Sequence, residues 1–333
     1  MHFIIRGVSL LNILAFAPDH YAELERILSA VYTGHTFAAE GLAAQDNGLP
    51  DYCLHQRWVG VVADQVIAYG EYRQTAALHE HGAFSLNVAV LPEYQGKGIG
   101  SSLYSHVFAE LSPLNPNAIR CTARAADAAS MAFLERRQYR PMMNIVEWWF
   151  DLDAIKPSDI IEKAPTTECN VAIDSVAALE CDPERNRKLF SLVTDIRQDV
   201  PMSSTLIDYE EFTDGYLGDS SYDSEAAFVA TNRSGEYIGY TCMIDDGNDS
   251  LYMGLTGVRR DYRRCGVATE LKLRSIRYGF ENGYSCIKSF CSSQNSAVEA
   301  LNIRCGFVQV DAWSNFEHNG SMPYVTTCTE QKS

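Results

Sequence analysis

The stretch VAVLPEYQGKGIGSSL, residues 88–103, runs from an alternating apolar segment through three glycines at every second position into a segment with helical spacing. Phe84, Leu86, Val88 and Val90 share one face of a strand, and Ile99, Leu103, Val107 and Leu111 recur every four residues, as on one face of a helix. Small residues between a strand and a helix let a ligand approach the main chain. The unpaired N–H groups at the helix start, with the positive end of its dipole behind them, then favour an anion.

Two phosphate motifs fail at this turn. A P-loop needs Gly-Lys followed by Ser or Thr, but Gly96-Lys97 is followed by Gly98. A dinucleotide fingerprint counted from Gly96 needs a glycine where Ser101 stands. What remains is Gln95-x-x-Gly98-x-Gly100.

The pattern returns in TGVRRDYRRCGVATEL, residues 256–271, as Arg263-x-x-Gly266-x-Ala268. The offset is 263 − 95 = 168, and at that offset Val90 meets Val258, Tyr94 meets Tyr262, Gly98 meets Gly266, Leu103 meets Leu271, and Ala129 meets Ala297. Tyr139 and Phe307 keep the same spacing. Each half reads as a first strand, helices, three consecutive strands, the glycine turn, a helix, a strand, a helix and a last strand. The chain is therefore a tandem duplication of one α/β domain. Domains are expected at 1–153 and 169–333, joined by a linker at 154–168 that carries Pro157 and Pro165 among charges.

The 333 residues carry 27 Lys plus Arg against 43 Asp plus Glu, a formal charge of −16. That balance argues against nucleic acid or an anionic membrane as partner and suits a cationic small molecule. No apolar run is long enough to span a membrane. The ten cysteines form no CxxC pair, so they read as mostly buried thiols in a reducing, cytoplasmic setting. The start, MHFIIRGVSLLNILAFAPDH, imitates a signal peptide, but its first residues are weakly charged and cleavage would delete the first strand; it is expected to stay.

The two turns, together with SSQNSAVEALNIRCGF at 292–307, resemble the acyl-CoA motif, Gln/Arg-x-x-Gly-x-Gly/Ala, and the following helix of the GNAT acetyltransferase superfamily. The resemblance covers nearly the whole chain, twice, in the manner of tandem GNAT proteins such as mycothiol synthase. It implies an α/β (α+β) fold of two GNAT domains. Each would be a mixed, mostly antiparallel sheet, flanked by helices, that splays open after the family's fourth strand.

By the same resemblance the cofactor is acetyl-CoA, and its pantetheine arm would bond the main chain of Val88, Ala89 and Val90, and of Thr256, Gly257 and Val258. The diphosphate would rest on Gln95, Gly96, Lys97, Gly98, Ile99 and Gly100, next to Ser101, and on Arg263, Arg264, Cys265, Gly266, Val267 and Ala268, next to Thr269. Asn295 matches the family's helix-opening Asn; Asp127 stands there in the first half, where an acid would oppose a polyanion.

The implied activity is N-acetyl transfer to a primary amine of a small molecule by direct attack. Amine attack needs a route for the departing proton and a donor for the thiolate. Where the family often has Tyr this chain has Leu134 and Asn302; where it often has Glu there are Phe84 and Tyr252. Tyr252 is the one candidate for proton handling, and a packing role is its alternative. Arg263, Asn295 and Gly306-Phe307 favour the second half for chemistry. A non-catalytic acyl-CoA-binding or interaction protein is the alternative function.

The acids at 195–225, among them Asp195, Asp199, Asp208 and Asp223, either line the acceptor cleft or form a solvated face. His79-Glu80-His81 lacks further ligands at metal spacing, so no metal is expected. Trp148 and Trp149 are expected to cap the first sheet. A monomer or homodimer is expected.

Overall fold

A computed structural model describes the chain except residues 1, 6–7, 76–79, 155–170, 201–207, 219–220, 247–248 and 320–333, and describes 2–5, 8 and 9 by their backbone alone. The chain divides into two compact units, Met1–Met142 with the segment from Ser314, and Met143–Trp313.

Unit 1 contains β1 (His2–Ile5), β2 (Val8–Ala15), α1 (Tyr21–Val31), α2 (Ala39–Asn47), β3 (His55–Val62), β4 (Gln65–Arg73), β5 (Ala83–Val90), α3 (Ile99–Leu111), β6 (Ala118–Arg124) and α4 (Ala128–Glu135). The chain then enters β7 (Arg140–Asp151). Unit 2 holds β7 from Met143, β8 (Ala172–Ser175), α5 (Arg185–Arg197), β9 (Ala227–Thr231), β10 (Tyr237–Asp245), β11 (Ser250–Val258), α6 (Val267–Glu281), β12 (Cys286–Ser292), α7 (Ser296–Cys305) and the first part of β13 (Val308–His318).

In unit 1 the strand order is β1-β2-β3-β4-β5-β6, closed by β13 from Ser314. β1 to β5 pair antiparallel and β5 pairs β6 in parallel. Unit 2 repeats the plan as β8-β9-β10-β11-β12, with β7 and the start of β13 beyond β12. β11 and β12 are parallel, and β7 is antiparallel to β12.

The helices sit where apolar stripes demand. α3 buries Leu103, Val107 and Leu111 over β4 and β5, and a Cβ on Gly70 would lie 2.9 Å from Leu103 Cγ and Val107 Cγ2, so only glycine admits this approach. Gly239 repeats it in unit 2, where a Cβ would lie 3.0 Å from Leu271 Cδ1 and 3.1 Å from Val267 Cγ1. Asp127 caps α4 by accepting from the Ala129 and Ser130 N–H groups at 3.0 and 3.1 Å, and Asn295 caps α7 by accepting from Val298 N at 3.3 Å.

The expected splayed mixed sheet is present twice. NIVEWWFDL forms a strand, but its residues from 143 pack in unit 2: Trp148 is buried there with Phe150, Phe307 and Ile287 rather than capping the first sheet. Unit 1 is closed instead by the end of β13, whose Phe316 lies in the first core while Asn315 and Glu317 pair with Thr122 and Arg120 at 2.7 and 3.0 Å. The exchange follows from burial: Trp148, Phe150 and Leu152 find their apolar partners in unit 2, and Phe316 finds its own in unit 1.

Five of the eight described cysteines, at 53, 121, 242, 291 and 305, are buried; Cys169 and Cys328 lie outside the described residues, as does His79. Among the described residues no group of His, Cys, Asp or Glu is arranged to hold a metal ion, and no helix is long and apolar enough to cross a membrane.

Candidate functional site

In both units the parallel pair parts company partway along. β5 and β6 pair from Ala83 to Ser85, and β11 and β12 from Ser250 to Met253; beyond those residues the strands diverge. Main-chain polar groups alternate sides along a strand. Leu91 N donates to Ile67 O on β4 at 3.0 Å, so the N–H and C=O groups of Val90, Val88 and Leu86 face the split. Side-chain donors agree: Cys121 Sγ reaches Leu86 O at 3.1 Å and Gln95 Nε2 reaches Val90 O at 2.9 Å. In unit 2, Arg259 N donates to Ile238 O at 2.8 Å and Arg263 Nε to Val258 O at 2.9 Å, which turns Val258 and Thr256 the same way.

The two glycine turns share one backbone. Gly98 has φ 88° and ψ −6°, and Gly266 has φ 85° and ψ −7°; each is the left-handed residue that opens the next helix. Two residues earlier Gly96 has φ 72°, and its counterpart Arg264 takes φ 63°. The first intrahelical donors are Ser102 N to Gly98 O at 3.0 Å and Glu270 N to Gly266 O at 3.1 Å. The N–H groups of Ile99, Gly100 and Ser101, and of Val267, Ala268 and Thr269, thus lie outside the helical ladder at its positive end.

Each split opens into a cavity, about 510 Å³ in unit 1 and 460 Å³ in unit 2. Val88, Ala89, Val90, Gln95, Gly96, Gly98, Gly100 and Ser101 line the first; Thr256, Gly257, Val258, Arg263, Arg264, Gly266, Val267, Ala268, Thr269 and Asn295 line the second. Lys97, Ile99 and Cys265 line neither. The Lys97 ammonium bonds Glu93 O at 2.7 Å, Ile99 is core, and Cys265 Sγ lies 3.5 Å from Arg263 O.

Cations missed at sequence level line the first cavity or stand by its turn. Arg136 and Arg124 line the cavity, and Arg137 stacks 3.5 Å over the Phe133 ring while donating to Ser101 Oγ at 3.1 Å. Their signal was a basic residue after a capped helix, too common to single out.

Below the first cavity lies a buried polar network that the sequence did not announce. Glu71 accepts from Arg57 at 2.8 Å, from Asn87 Nδ2 at 3.1 Å and pairs with His55 at 3.2 Å; Arg57 also bonds Asp46 at 2.8 Å, and Asp46 accepts from Tyr21 at 2.8 Å. Burial alone would raise the Glu71 carboxyl, but the His55 hydrogen bond and the Arg57 and Arg73 charges hold it down at about 2. Asn87 joins this network to the cavity wall.

Unit 2 differs at the corresponding places. Two residues of β11, Gly254 and Leu255, stand against the single Cys242 of β10, between the pairs Thr241–Thr256 and Met243–Met253. This bulge shifts the register by one residue, so Tyr252, opposite Lys288, matches Ser85, opposite Arg120, and not Phe84. Tyr252 therefore stacks on Phe290 at 5.6 Å beside Lys288, outside the cavity lining, and burial with the Asp246 and Glu147 charges raises its phenol to about 12.

Where Glu71 stands in unit 1, unit 2 has an apolar and phenolic core of Cys242, Tyr240, Tyr216 and Phe212. Ile196 presses on Gly257, where its Cγ2 lies 2.2 Å from the place of a Cβ. Of the acids at 195–225, Asp199 alone among the described residues lines the second cavity, and its carboxylate accepts from both Arg260 and Arg263. Asp195 pairs with Arg259 at 3.3 Å, Asp223 accepts from Tyr278 at 3.0 Å, and Asp219 lies outside the described residues.

A family model described as the acetyltransferase (GNAT) family matches residues 21–139 and 190–307. No curated protein matches the chain. Among solved structures, a GCN5-related N-acetyltransferase from Sphaerobacter thermophilus superposes with a TM-score of 0.73 at 18% identity, over 94% of this chain and 96% of that one. A tandem GNAT protein from the clavulanic acid biosynthesis pathway gives 0.72 at 16% identity, over 93% and 99%. A glucosamine N-acetyltransferase region of a fungal GH3 β-N-acetylglucosaminidase gives 0.67 at 14% identity, over 93% of this chain and 38% of that one.

Proposed function

The chain belongs to the GNAT acetyltransferase family, and from that premise we propose that it is an N-acetyltransferase that carries acetyl from acetyl-CoA to a primary amine of a small molecule, with unit 1 as the working half. Two copies remain the reading of the sequence, 1–153 and 169–333 joined by 154–168.

The observation that carries this reading is the state of the two turns. Apart from each glycine and its two chain neighbours, no heavy atom among the described residues lies within 4 Å of the place a Cβ would take on Gly96 or Gly98; Arg136 lines the cavity and Arg137 reaches Ser101. This donor set fits a diphosphate: free N–H groups at a helix start, left-handed glycines and the cations Arg136 and Arg137, while Asp127, which also lines this cavity, is held by the N–H groups it caps. Val88 and Val90 would offer main-chain bonds to the pantetheine amides. In unit 2 Asp199 shares its single charge between Arg260 and Arg263, leaving Arg264 and Arg304 in the lining, and Ile196 covers the strand at Gly257. Of the features that favour the second half in sequence, Arg263 is engaged by Asp199; its bond to Val258 O and the Asn295 cap have counterparts in unit 1, where Gln95 holds Val90 O and Asp127 caps its helix.

When bound, acetyl-CoA supplies a thioester whose acetyl group passes to a neutral amine, R–NH2 + CH3CO–S–CoA giving R–NH–COCH3 + HS–CoA. The chain's share is to bind, orient and exclude water, since positioning alone can contribute several kcal/mol in such transfers. Leu134 lines the first cavity at the position where the family often has Tyr, so the thiolate proton would come from solvent.

A cytoplasmic location accords with the free thiols. The acidic balance favours a cationic acceptor. A monomer or homodimer remains part of the reading.

The test is thiol release from acetyl-CoA with a panel of benzylamine, tryptamine, glucosamine and spermidine. Release with any of them, lost in Gly98→Val, supports transfer in unit 1. Acetyl-CoA binding without release above the amine-free rate supports the second reading, acyl-CoA binding alone, which the Leu134 and Asn302 substitutions favour.

A further inference from the structure

We propose that Asn87 orients the acceptor: its side-chain carbonyl takes a hydrogen bond from the amine that enters the first cavity. The inference rests on the acetyl-transfer reading and assigns it a residue.

Asn87 sits between Leu86 and Val88, whose main-chain groups face the split, so it stands beside the pantetheine path. Its side chain lies on the opposite sheet face from α3. Leu86 packs in the core, whereas Asn87 pairs in register with Glu71, whose partner Arg57 reaches Asp46 on α2. The regular register of β4 and β5, from Arg73–Ser85 to Ala68–Val90, puts position 87 there. In unit 2 the bulge leaves Leu255 near this level and Cys242 in place of Glu71, so the device belongs to unit 1 alone.

Amide polarity follows from Glu71. The carboxylate is ionised, held by Arg57 and His55, and can only accept; the group it meets must be the Asn87 NH2, at 3.1 Å. Oδ1 is thereby turned away from Glu71. The Asn87 side chain makes no other hydrogen bond among the described residues, and Asn87 lines the cavity together with Val31 and Tyr32. A carbonyl fixed in that wall recognises an N–H donor and nothing anionic.

An amide cannot take up the proton. Asn87 therefore holds one N–H of a primary amine, which directs the lone pair toward the split, and the other N–H is the one lost to water. The acceptor class is an amine with two N–H bonds. Glu71 is a positioning residue that acts through Asn87.

The experiment compares wild type, Asn87→Ala, Asn87→Ser, Glu71→Gln and the double variant E71Q/N87A. Readouts are acetyl-CoA affinity by calorimetry, steady-state thiol release with the best amine of the panel, and the Asn87 side-chain amide resonances, assigned by their loss in N87A. Expected are a tenfold or greater rise in amine KM in N87A, acetyl-CoA affinity within twofold of wild type, and a partial effect in N87S. A resonance shift is expected when the amine is added to the CoA-bound protein.

In E71Q the amide loses its fixed polarity, kcat/KM falls severalfold, and the double variant is no worse than N87A. Unchanged amine KM in N87A overturns the proposal and leaves the acetyl-transfer reading intact. Loss of acetyl-CoA affinity in N87A overturns it by making Asn87 part of the cofactor site. Wild type that binds acetyl-CoA but acetylates no amine removes the reading and the proposal with it. The two Asn87 variants leave the Glu71–Arg57 pair in place, so they decide the matter even if E71Q does not fold.

Discussion

Arg263 donates through Nε to Val258 O at 2.9 Å and through a terminal nitrogen to Asp199, so a carboxylate of the chain stands on the very cation that the second turn offers. Hydrogen bonds from Arg260 and Arg263 hold the Asp199 carboxyl well below the usual range, and it stays ionised throughout the physiological span. Replacing it with Asn frees both arginines. Because the pair is partly exposed, the gain for an anion is about 1 kcal/mol, roughly fivefold. Native mass spectra with acetyl-CoA should show one bound cofactor in wild type and a second in Asp199→Asn; equal counts in the two proteins would refute the assignment of a turn held by its own carboxylate.

Gly98→Val should cut acetyl-CoA affinity at unit 1 at least tenfold. A valine there must hold φ near 88°, which costs about 1–3 kcal/mol, and its side chain enters the open space before the helix start. Calorimetry measures the affinity and a thermal melt the strain. A fall in melting temperature with unchanged affinity would show that the turn serves packing only.

Glu71 predicts an acid limb of stability. Its carboxyl falls from the usual value of 4.5 to about 2 on folding, so the stabilisation is fully present above pH 4.5 and drains away as pH falls toward 2. The shift corresponds to an order of 3 kcal/mol. Urea denaturation from pH 6 to pH 2.5 should show this slope in wild type and a shallower one in Glu71→Gln, which is also less stable at neutral pH because Arg57 loses a buried partner.

Lys272 predicts the opposite limb. Its side chain is 1% exposed, with the ammonium 3.1 Å from Met253 Sδ and 4.3 Å from the Phe307 ring centroid. Burial lowers its pKa to about 8, against the opposing influence of Cys305 and Cys291. Below pH 8 folding carries the cost of a buried charge, and stability rises as pH climbs from 8 toward 10.5. Lys272→Met should raise the melting temperature by several degrees at pH 7 and flatten that rise; a lower melting temperature would mean that the ammonium is better satisfied than its neighbours indicate.

The repeat, the strands and the turns were legible because each is a local pattern with its own period. Gly98 and Gly266 sit in one register because both copies need a left-handed residue before a helix. Tyr252 was misaligned with Phe84 for a reason invisible to counting: the bulge at Gly254 and Leu255 adds a residue to one strand of a pair, and only the partner strand reveals it. The Glu71 network was equally hidden, because His55, Arg57, Glu71 and Asn87 come from three strands and none is unusual alone. The placement of β7 and β13 depended on which core each apolar face could fill, a question of tertiary fit that spacing does not pose.

The last strand of unit 1 is also made only after unit 2. Ser314 to His318 close a sheet whose other strands are complete by Arg124, so the ribosome releases the missing edge only after the whole of unit 2 has been synthesised. At about 5–20 residues per second the first core waits on the order of ten seconds or more with an unpaired border. Newborn chains are thus exposed to edge-on pairing with one another during that interval, and crowding on polysomes, rather than the stability of the finished protein, should set how much of it survives its own birth.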